Sequence, residues 1–387
     1  MDWDGHYRPC CEFNERLSNF PGNTKFSSEI FSIEQWMSGE YSQYLREQLS
    51  NGVELAECQT CWNKEKYGFK SLRNVINDTT TKNHGDSIEN TWVALYLKKV
   101  KNYSEYYLIS ADIKLSNVCN FACIMCSPQD SSRIYDLWHK NQTNQFVQEQ
   151  IKKDDKLFEK IIKVYGDDRT YKRFENIFNH PIKYLKFLGG EPLLDKNLLK
   201  MLNNLDPNKK SKITLHFVTN GSQSLTEFAD QLKDFANVTF TVSLESVGEM
   251  QDYARRGSIW TEIEKNILAA KKQGIPISIS TVIQAVTLPN IDQLLSWAQK
   301  NDLSISFLPL AGFEYLDISV LPVTIRQKTI NKLNLLSNNS DTKKLIELIE
   351  SYPYHQEKYQ KFLEYISWYE KDSGTKLKDL EPDFYNF

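Results

Sequence analysis

The rhythm of hydrophobic and polar positions changes near residue 105. Before about residue 75, polar residues, turn formers and aromatics mix without a sustained period. One helix start stands out there: Ser32-Ile-Glu-Gln-Trp36, where Ser followed three residues later by Gln35 forms a capping-box pattern. A stretch rich in Asn, Thr, Asp and Gly at 77–90 reads as a linker. From about 105 onward, short apolar runs alternate with segments of helical period. The runs predict strands at 110–115, 184–188, 213–218, 238–244, 275–283 and 305–308, and the segments between them predict helices at 196–205, 225–235, 260–273 and 291–300. Strands alternating with helices imply an α/β fold with a parallel sheet. Six strands suit a partial (β/α)6 barrel of the TIM type, with active residues at the C-terminal ends of the strands. The charged, helical connection at 127–180 reads as an insertion after the first strand, and 324–387 as two or three further helices. The expected domains are 1–76, a linker at 77–104, a barrel at 105–310 and a helical C-terminal extension at 311–387.

Composition adds little beyond exclusions. The chain has 387 residues, 40% hydrophobic and 12% aromatic, enough to bury a core. A net charge of −3 provides no basic field for nucleic acid, so no nucleic-acid partner is expected. The pairs Lys98-Lys99, Lys152-Lys153 and Lys209-Lys210 read as solvated faces. No segment approaches the roughly 18 apolar residues of a membrane span, and the first residues lack an apolar signal region. A soluble, cytoplasmic protein with no membrane partner is the expectation. The six histidines are scattered, and His216, inside the third predicted strand, reads as core or barrel lining.

The cysteines carry the chemistry. All seven fall into three groups: Cys10-Cys11, Cys58-x-x-Cys61 and Cys119-x-x-x-Cys123-x-x-Cys126. Packing cysteines scatter, whereas metal ligands cluster, and an odd number does not make a disulfide scaffold. The third group follows directly on the first predicted strand. Three thiolates in one short loop can hold three corners of a cubane cluster and leave the fourth iron open. A zinc knuckle is the competing reading of such spacing.

The CxxxCxxC loop after a strand resembles the signature of the radical S-adenosyl-L-methionine (SAM) superfamily, and further motifs follow in that family's order. Leu185-Lys-Phe-Leu-Gly189-Gly190-Glu191-Pro192 resembles its GGEP element, and Phe217-Val-Thr219-Asn220-Gly221 its TNG. Thr241-Val-Ser243-Leu-Glu245 resembles the fourth-strand element, and Tyr253-Ala-Arg255-Arg256-Gly257-Ser-Ile-Trp260 the R-x-G-x-x-W that follows. The resemblance implies a 4Fe-4S cluster on Cys119, Cys123 and Cys126, with SAM on its open iron. It also implies that Gly189 and Gly190 let the backbone approach the methionine part of SAM and that Glu191 accepts from its ammonium. Ser243 would contact the ribose and Arg255, or its neighbour Arg256, the carboxylate. Thr219, Asn220 and Glu245 would lie around the cofactor, and Val282 and Met125 against its adenine.

Nearer the N-terminus, Tyr7-Arg-Pro-Cys10-Cys11, Trp36, Arg46, Gly52 and Cys58-Gln-Thr-Cys61 resemble the SPASM or twitch extension of certain radical SAM enzymes, which usually follows the barrel rather than preceding it. That resemblance implies an auxiliary Fe-S cluster. A structural zinc site on the same cysteines is the alternative. Side chains of adjacent residues in extended backbone point apart, so either a tight turn brings both Cys10 and Cys11 to one site or only one of them ligates. Trp36 and Trp62 read as local core.

These readings converge on an enzyme that cleaves SAM reductively and abstracts hydrogen from a substrate, with a flavodoxin or ferredoxin-type electron donor. The resemblance favours a peptide or protein substrate over a small cyclitol or sugar. A non-enzymatic zinc or Fe-S scaffold is the reading from another class, and it predicts no binding of SAM.

Overall fold

The computed structural model describes residues 6–74 and 108–385, apart from 29, 67, 69, 115, 153–154, 166–175, 311–312, 337–339 and 372–373. The expected linker at 77–104 and the pair Lys98-Lys99 lie outside the described residues, as does Lys153. The chain divides into two compact units, one within Met1–Asp112 and Lys172–Lys183, the other within Ile113–Tyr171 and Tyr184–Phe387.

In the first unit the helix Ile33–Ser38 starts at the predicted capping box. Ser32 Oγ accepts from the Gln35 N–H, and Gln35 Oε1 accepts from the Ser32 N–H at 2.8 Å, so two end donors are satisfied reciprocally. Phe13, Tyr41, Leu45 and Leu55 form a small core, with Cys10 and Cys58 packed against it. Trp62 is anchored beside it by a 2.8 Å bond from its indole N–H to the Leu55 carbonyl.

The second unit is built on a six-stranded sheet. The strands in chain order are β1 (Ser110–Lys114), β2 (Ala122–Cys123), β3 (Tyr184–Leu188), β4 (Thr214–Thr219), β5 (Asn237–Ser243), β6 (Arg255–Arg256), β7 (Ile277–Ile283) and β8 (Ile305–Pro309). Spatial order is β1-β3-β4-β5-β7-β8, with β3 through β8 running parallel and β1 and β8 left as edges, so the barrel stays open. The six predicted strands are these six, within two residues at each end. The short β2 and β6 pair separately and antiparallel.

Strand alternation sorts the side chains onto two faces. Phe187, Phe217 and Phe240 line up across β3, β4 and β5 with ring centroids 5.3 and 5.9 Å apart, and Phe228 meets Phe217 edge-on. The opposite row is polar. His216 lines the barrel, its Nδ1 2.7 Å from Thr239 Oγ1 and its Nε2 3.0 Å from Thr241 Oγ1, with Ser278 continuing the chain of bonds. The predicted helix at 225–235 is shorter, Leu225–Asp230. Leu232 and Phe235 keep the apolar period because successive tight turns, not a helix, carry them into the core. Lys210 also departs from expectation. Rather than facing solvent it is buried, donating to the Asn203 carbonyl at 2.8 Å.

Three helices, Ser132–Lys140, Gln145–Ile151 and Leu157–Tyr165, lie in the connection after β2. The tail forms Val323–Asn334, Ser340–Ser351 and Gln356–Tyr369 within this same unit. Among the described residues no helix is long and apolar enough to cross a membrane.

Candidate functional site

The three-cysteine loop leaves the C-terminal end of β1 and is tied down at both ends. The Ser131 hydroxyl caps the next helix, accepting from the Ile134 N–H, and donates to the Phe121 carbonyl at 2.7 Å. Asn117 reaches across the loop to the Pro128 carbonyl, and the Ser132 hydroxyl accepts from the Cys119 N–H. Between these ties, β2 pairs with β6 so that Cys123 stands opposite Arg255.

Burial pushes all three thiols above their ordinary range: Cys119 upward, Cys123 to about 12 and Cys126 well upward. Cys126 is raised next by Asp130, then by Cys123 and Cys119, which places the three sulfurs within electrostatic reach of one another. Opposing donors surround them. The Phe121 N–H lies 3.4 Å from the Cys119 sulfur, Asn220 Nδ2 at 3.9 Å, and Arg255 Nη1 3.8 Å from the Cys123 sulfur. Among the described residues no three His, Cys, Asp or Glu side chains form a ready pocket for one metal ion.

Four strand ends meet this loop. Gly189, at φ +133°, and Gly190 bring the β3 end edge to edge with it: the Gly190 N–H donates to the Ser116 carbonyl at 2.9 Å and the Glu191 N–H to the Val118 carbonyl at 2.7 Å. A Cβ at 190 would lie 2.2 Å from the Val118 oxygen, and one at 189 would lie 2.5 Å from the Ser116 oxygen. These glycines are therefore required for loop-on-loop contact, whatever they also allow a cofactor. Glu191 is buried and its carboxylate accepts three bonds, from the Thr219 hydroxyl at 2.7 Å and the N–H groups of Asn220 at 2.6 Å and Leu193 at 3.1 Å. Burial still outweighs these donors and raises it to about 7. Its first task is to fasten the β3 end to the β4 end, with one lone-pair site of the usual four remaining.

At the β5 and β7 ends, the fully buried Glu245 accepts from Arg255 Nη2 at 2.5 Å, the Val282 N–H at 2.8 Å and the Thr281 hydroxyl. Burial would lower the Arg255 guanidinium, but the facing Cys123 and Glu245 outweigh it and hold the group above its usual range. Arg255 Nε is buried with no partner. Arg256 points elsewhere: its guanidinium lies 4.2 Å from the Tyr369 ring centre and bonds the Tyr369 carbonyl. Of the two arginines left open by the sequence, Arg255 is the one whose side chain reaches a cysteine sulfur. Ser243 stands opposite Ser280 in the sheet register, and Met125 is half-buried between the last two cysteines.

In the first unit, Cys61 and Cys58 both raise Cys10, and Cys61 raises Cys58. Burial is the main cause, taking Cys10 to about 12 and Cys58 to about 11. Cys11 is exposed on the turn that follows Cys10, closed by the Phe13 N–H on the Cys10 carbonyl. Glu12, which the sequence did not single out, accepts from the Cys61 thiol at 3.5 Å and pairs with Lys64 at 2.7 Å. Two more residues escaped the sequence: the buried Tyr365 and Tyr369 donate their hydroxyls to carbonyls of the cysteine loop. Nothing in the local pattern of the tail marks them.

The donor set of Cys119, Cys123 and Cys126 fits an iron–sulfur cluster: three soft sulfur ligands, sheltered from water, with N–H donors aimed at two of them. The unpartnered Arg255 Nε fits the carboxylate of a bound SAM. Residues 113–298 match the Radical SAM superfamily. GTP 3′,8-cyclase of Nitrobacter winogradskyi is 29% identical over 171 residues, 40% of this chain and 48% of the relative. The Brucella ovis enzyme of that name is 30% identical over 142 residues, 35% and 41% respectively. The chain thus spans less than half the length of these curated relatives. Among solved structures, native anSMEcpe with bound AdoMet aligns with a TM-score of 0.41 at 17% identity, over 59% of each chain. Streptococcus suis SuiB bound to S-adenosylmethionine aligns with 0.38 at 14%, over 72% of this chain and 58% of that one. Residues 113–298 of this chain are thus a radical SAM domain.

Proposed function

We propose that the chain reductively cleaves SAM at a 4Fe-4S cluster held by Cys119, Cys123 and Cys126, and abstracts a hydrogen atom from a substrate. When bound, the cluster supplies the electron for that cleavage, and SAM the radical that takes the hydrogen. The residues of the chain do the rest. Three raised thiols must surrender their protons to coordinate iron, so assembly releases protons. Arg255 compensates the resulting charge at Cys123 and offers its free Nε to the SAM carboxylate. Glu191, through Thr219 and Asn220, holds the β3 and β4 ends against the cysteine loop, while Ser243, Val282 and Met125 remain as ribose and adenine contacts.

The observation that carries the reading is the single loop of three cysteines at the end of β1, Cys123 buried and Cys119 and Cys126 half-buried, braced by Arg255 and by the ends of β3 and β4. Anaerobic reconstitution followed by SAM and dithionite tests it. 5′-Deoxyadenosine forms with the wild type and not with Cys126→Ala, whose fold is retained. Cleavage that persists in Cys126→Ala, or zinc alone with intact SAM, refutes it.

For the substrate we favour a peptide or protein, supported by the resemblance of the N-terminal cysteines to those of peptide-modifying relatives. A small-molecule substrate is the second reading, favoured by the curated relatives being named GTP 3′,8-cyclase. Isotope exchange from labelled substrate into 5′-deoxyadenosine separates the two. We assign Cys10, Cys58 and Cys61, with or without Cys11, to an auxiliary Fe-S cluster. About eight irons per chain support this, whereas about four irons with one zinc make the site structural. A flavodoxin or ferredoxin donor in the cytoplasm, where thiols stay reduced, completes the proposal.

A further inference from the structure

The helix Gln356–Tyr369 carries no cofactor motif, yet two of its side chains end on the cysteine loop. Tyr365 Oη donates to the Ile124 carbonyl at 2.8 Å and Tyr369 Oη to the Ala122 carbonyl at 2.7 Å. These two carbonyls flank Cys123 in the chain. Residues i and i+4 of a helix share a face about 6 Å apart along its axis, so the two hydroxyls reach one side of the loop, one at the strand Ala122–Cys123 and one at the turn that begins at Ile124. The helix is held in turn. Arg256 stacks on the Tyr369 ring, and Glu370, just past the helix, accepts from the Tyr253 hydroxyl at 2.9 Å and the Leu377 N–H at 2.6 Å. Strand β6 therefore faces β2 on one side and grips the C-terminal helix through Arg256.

Packing alone does not explain the hydroxyls. Phenylalanine at 365 or 369 would bury the same ring without desolvating a polar group. Tyr315, whose ring lies 4.5 Å from that of Tyr365, has a buried hydroxyl with no partner, so this aromatic cluster does not itself supply bonds to such groups. We propose that Tyr365 and Tyr369 are positioning residues, a two-point latch from the C-terminal helix that holds residues 122–124, and with them the Cys123 thiol, in the conformation that accepts the cluster. The proposal rests on reading Cys119, Cys123 and Cys126 as the cluster ligands.

The test compares Tyr365→Phe and Tyr369→Phe with Tyr315→Phe, all in the full chain. In metal-free protein, iodoacetamide alkylation is followed at each cysteine by peptide mass spectrometry. Loss of either latch hydroxyl speeds alkylation of Cys123 about fivefold, the worth of one ordinary hydrogen bond, and Tyr315→Phe leaves it unchanged. In reconstituted protein, iron release to a chelator accelerates by the same factor, and the EPR spectrum of the dithionite-reduced cluster changes in both latch variants but not in the control. The latch is overturned if all three variants behave alike, or if alkylation merely follows a shared fall in melting temperature. A wild type that takes up no cluster would sink the cofactor reading, while the alkylation rates would still decide whether the latch exists.

Discussion

Arg255→Met offers the sharpest test of how the site is held together. Arg255 is 12% exposed in its side chain and Glu245 is fully buried, so their 2.5 Å contact is an ion pair taken out of water. Removing the cation leaves the Glu245 carboxylate with only the Val282 N–H and the Thr281 hydroxyl. Breaking a buried pair from one side costs about 3–5 kcal/mol, because the remaining charge is uncompensated. With two donors still in place, the lower end, ~3 kcal/mol, is expected. Glu245→Gln turns an amide N–H₂ toward the guanidinium and costs ~2 kcal/mol. The double variant removes both charges and should cost at least ~2 kcal/mol less than the sum. Urea unfolding of the metal-free chain, without SAM, reads these values from the transition of the sheet-bearing unit, free of any effect on catalysis. A loss below ~1 kcal/mol for Arg255→Met, or additive single and double variants, would refute the claim that this pair fastens β6 and the cysteine loop to the β5 end.

Two further predictions follow from the β3 end. Gly190→Ala would drive a Cβ to 2.2 Å from the Val118 oxygen and 2.6 Å from the Asn117 carbon, both backbone atoms that cannot rotate away. A loss of ~2 kcal/mol or more in urea, with weakened iron uptake, is expected, whereas Gly374→Ala, with nothing within 4 Å, stays within ~0.5 kcal/mol. Glu191 gives a pH signature. Its folded value of about 7, against an ordinary 4.5, means the folded chain binds more protons than the unfolded chain between those values. Its contribution is therefore most favourable below about pH 4.5 and declines as pH rises to about 7, by at most roughly 3 kcal/mol. The stability of the wild type relative to Glu191→Gln, measured from pH 4.5 to 8, should fall along that limb; a constant difference would show that burial does not govern this carboxyl.

Much of the domain was legible in the sequence because its information is local. Alternating apolar runs identified the six strands of the open barrel, since a strand buried on its helix-covered face repeats every two residues whatever it pairs with. The capping box at Ser32 and Gln35 was equally readable, being a contact within one helical turn. The helix predicted through Phe235 was overextended for the same reason, because apolar period does not distinguish a helix from turns that bury the same face. Lys210 reads as surface by residue type, and only the packing around Phe235 and the Asn203 carbonyl makes it core.

By itself, then, the sequence determined the fold class, the three cysteines in one loop and the ordered motifs at the strand ends. Each is a property of residue type and spacing. Only the tertiary structure decided what those residues hold. It set Cys123 opposite Arg255 across more than a hundred residues of chain, turned Arg256 away to Tyr369, and occupied the Glu191 carboxylate with the β4 end. It also brought two tyrosines of the helix Gln356–Tyr369 onto the cysteine loop. Hydrogen bonds and ion pairs between distant segments depend on where the backbone brings them. No period or motif records a partner that approaches only after the chain has folded.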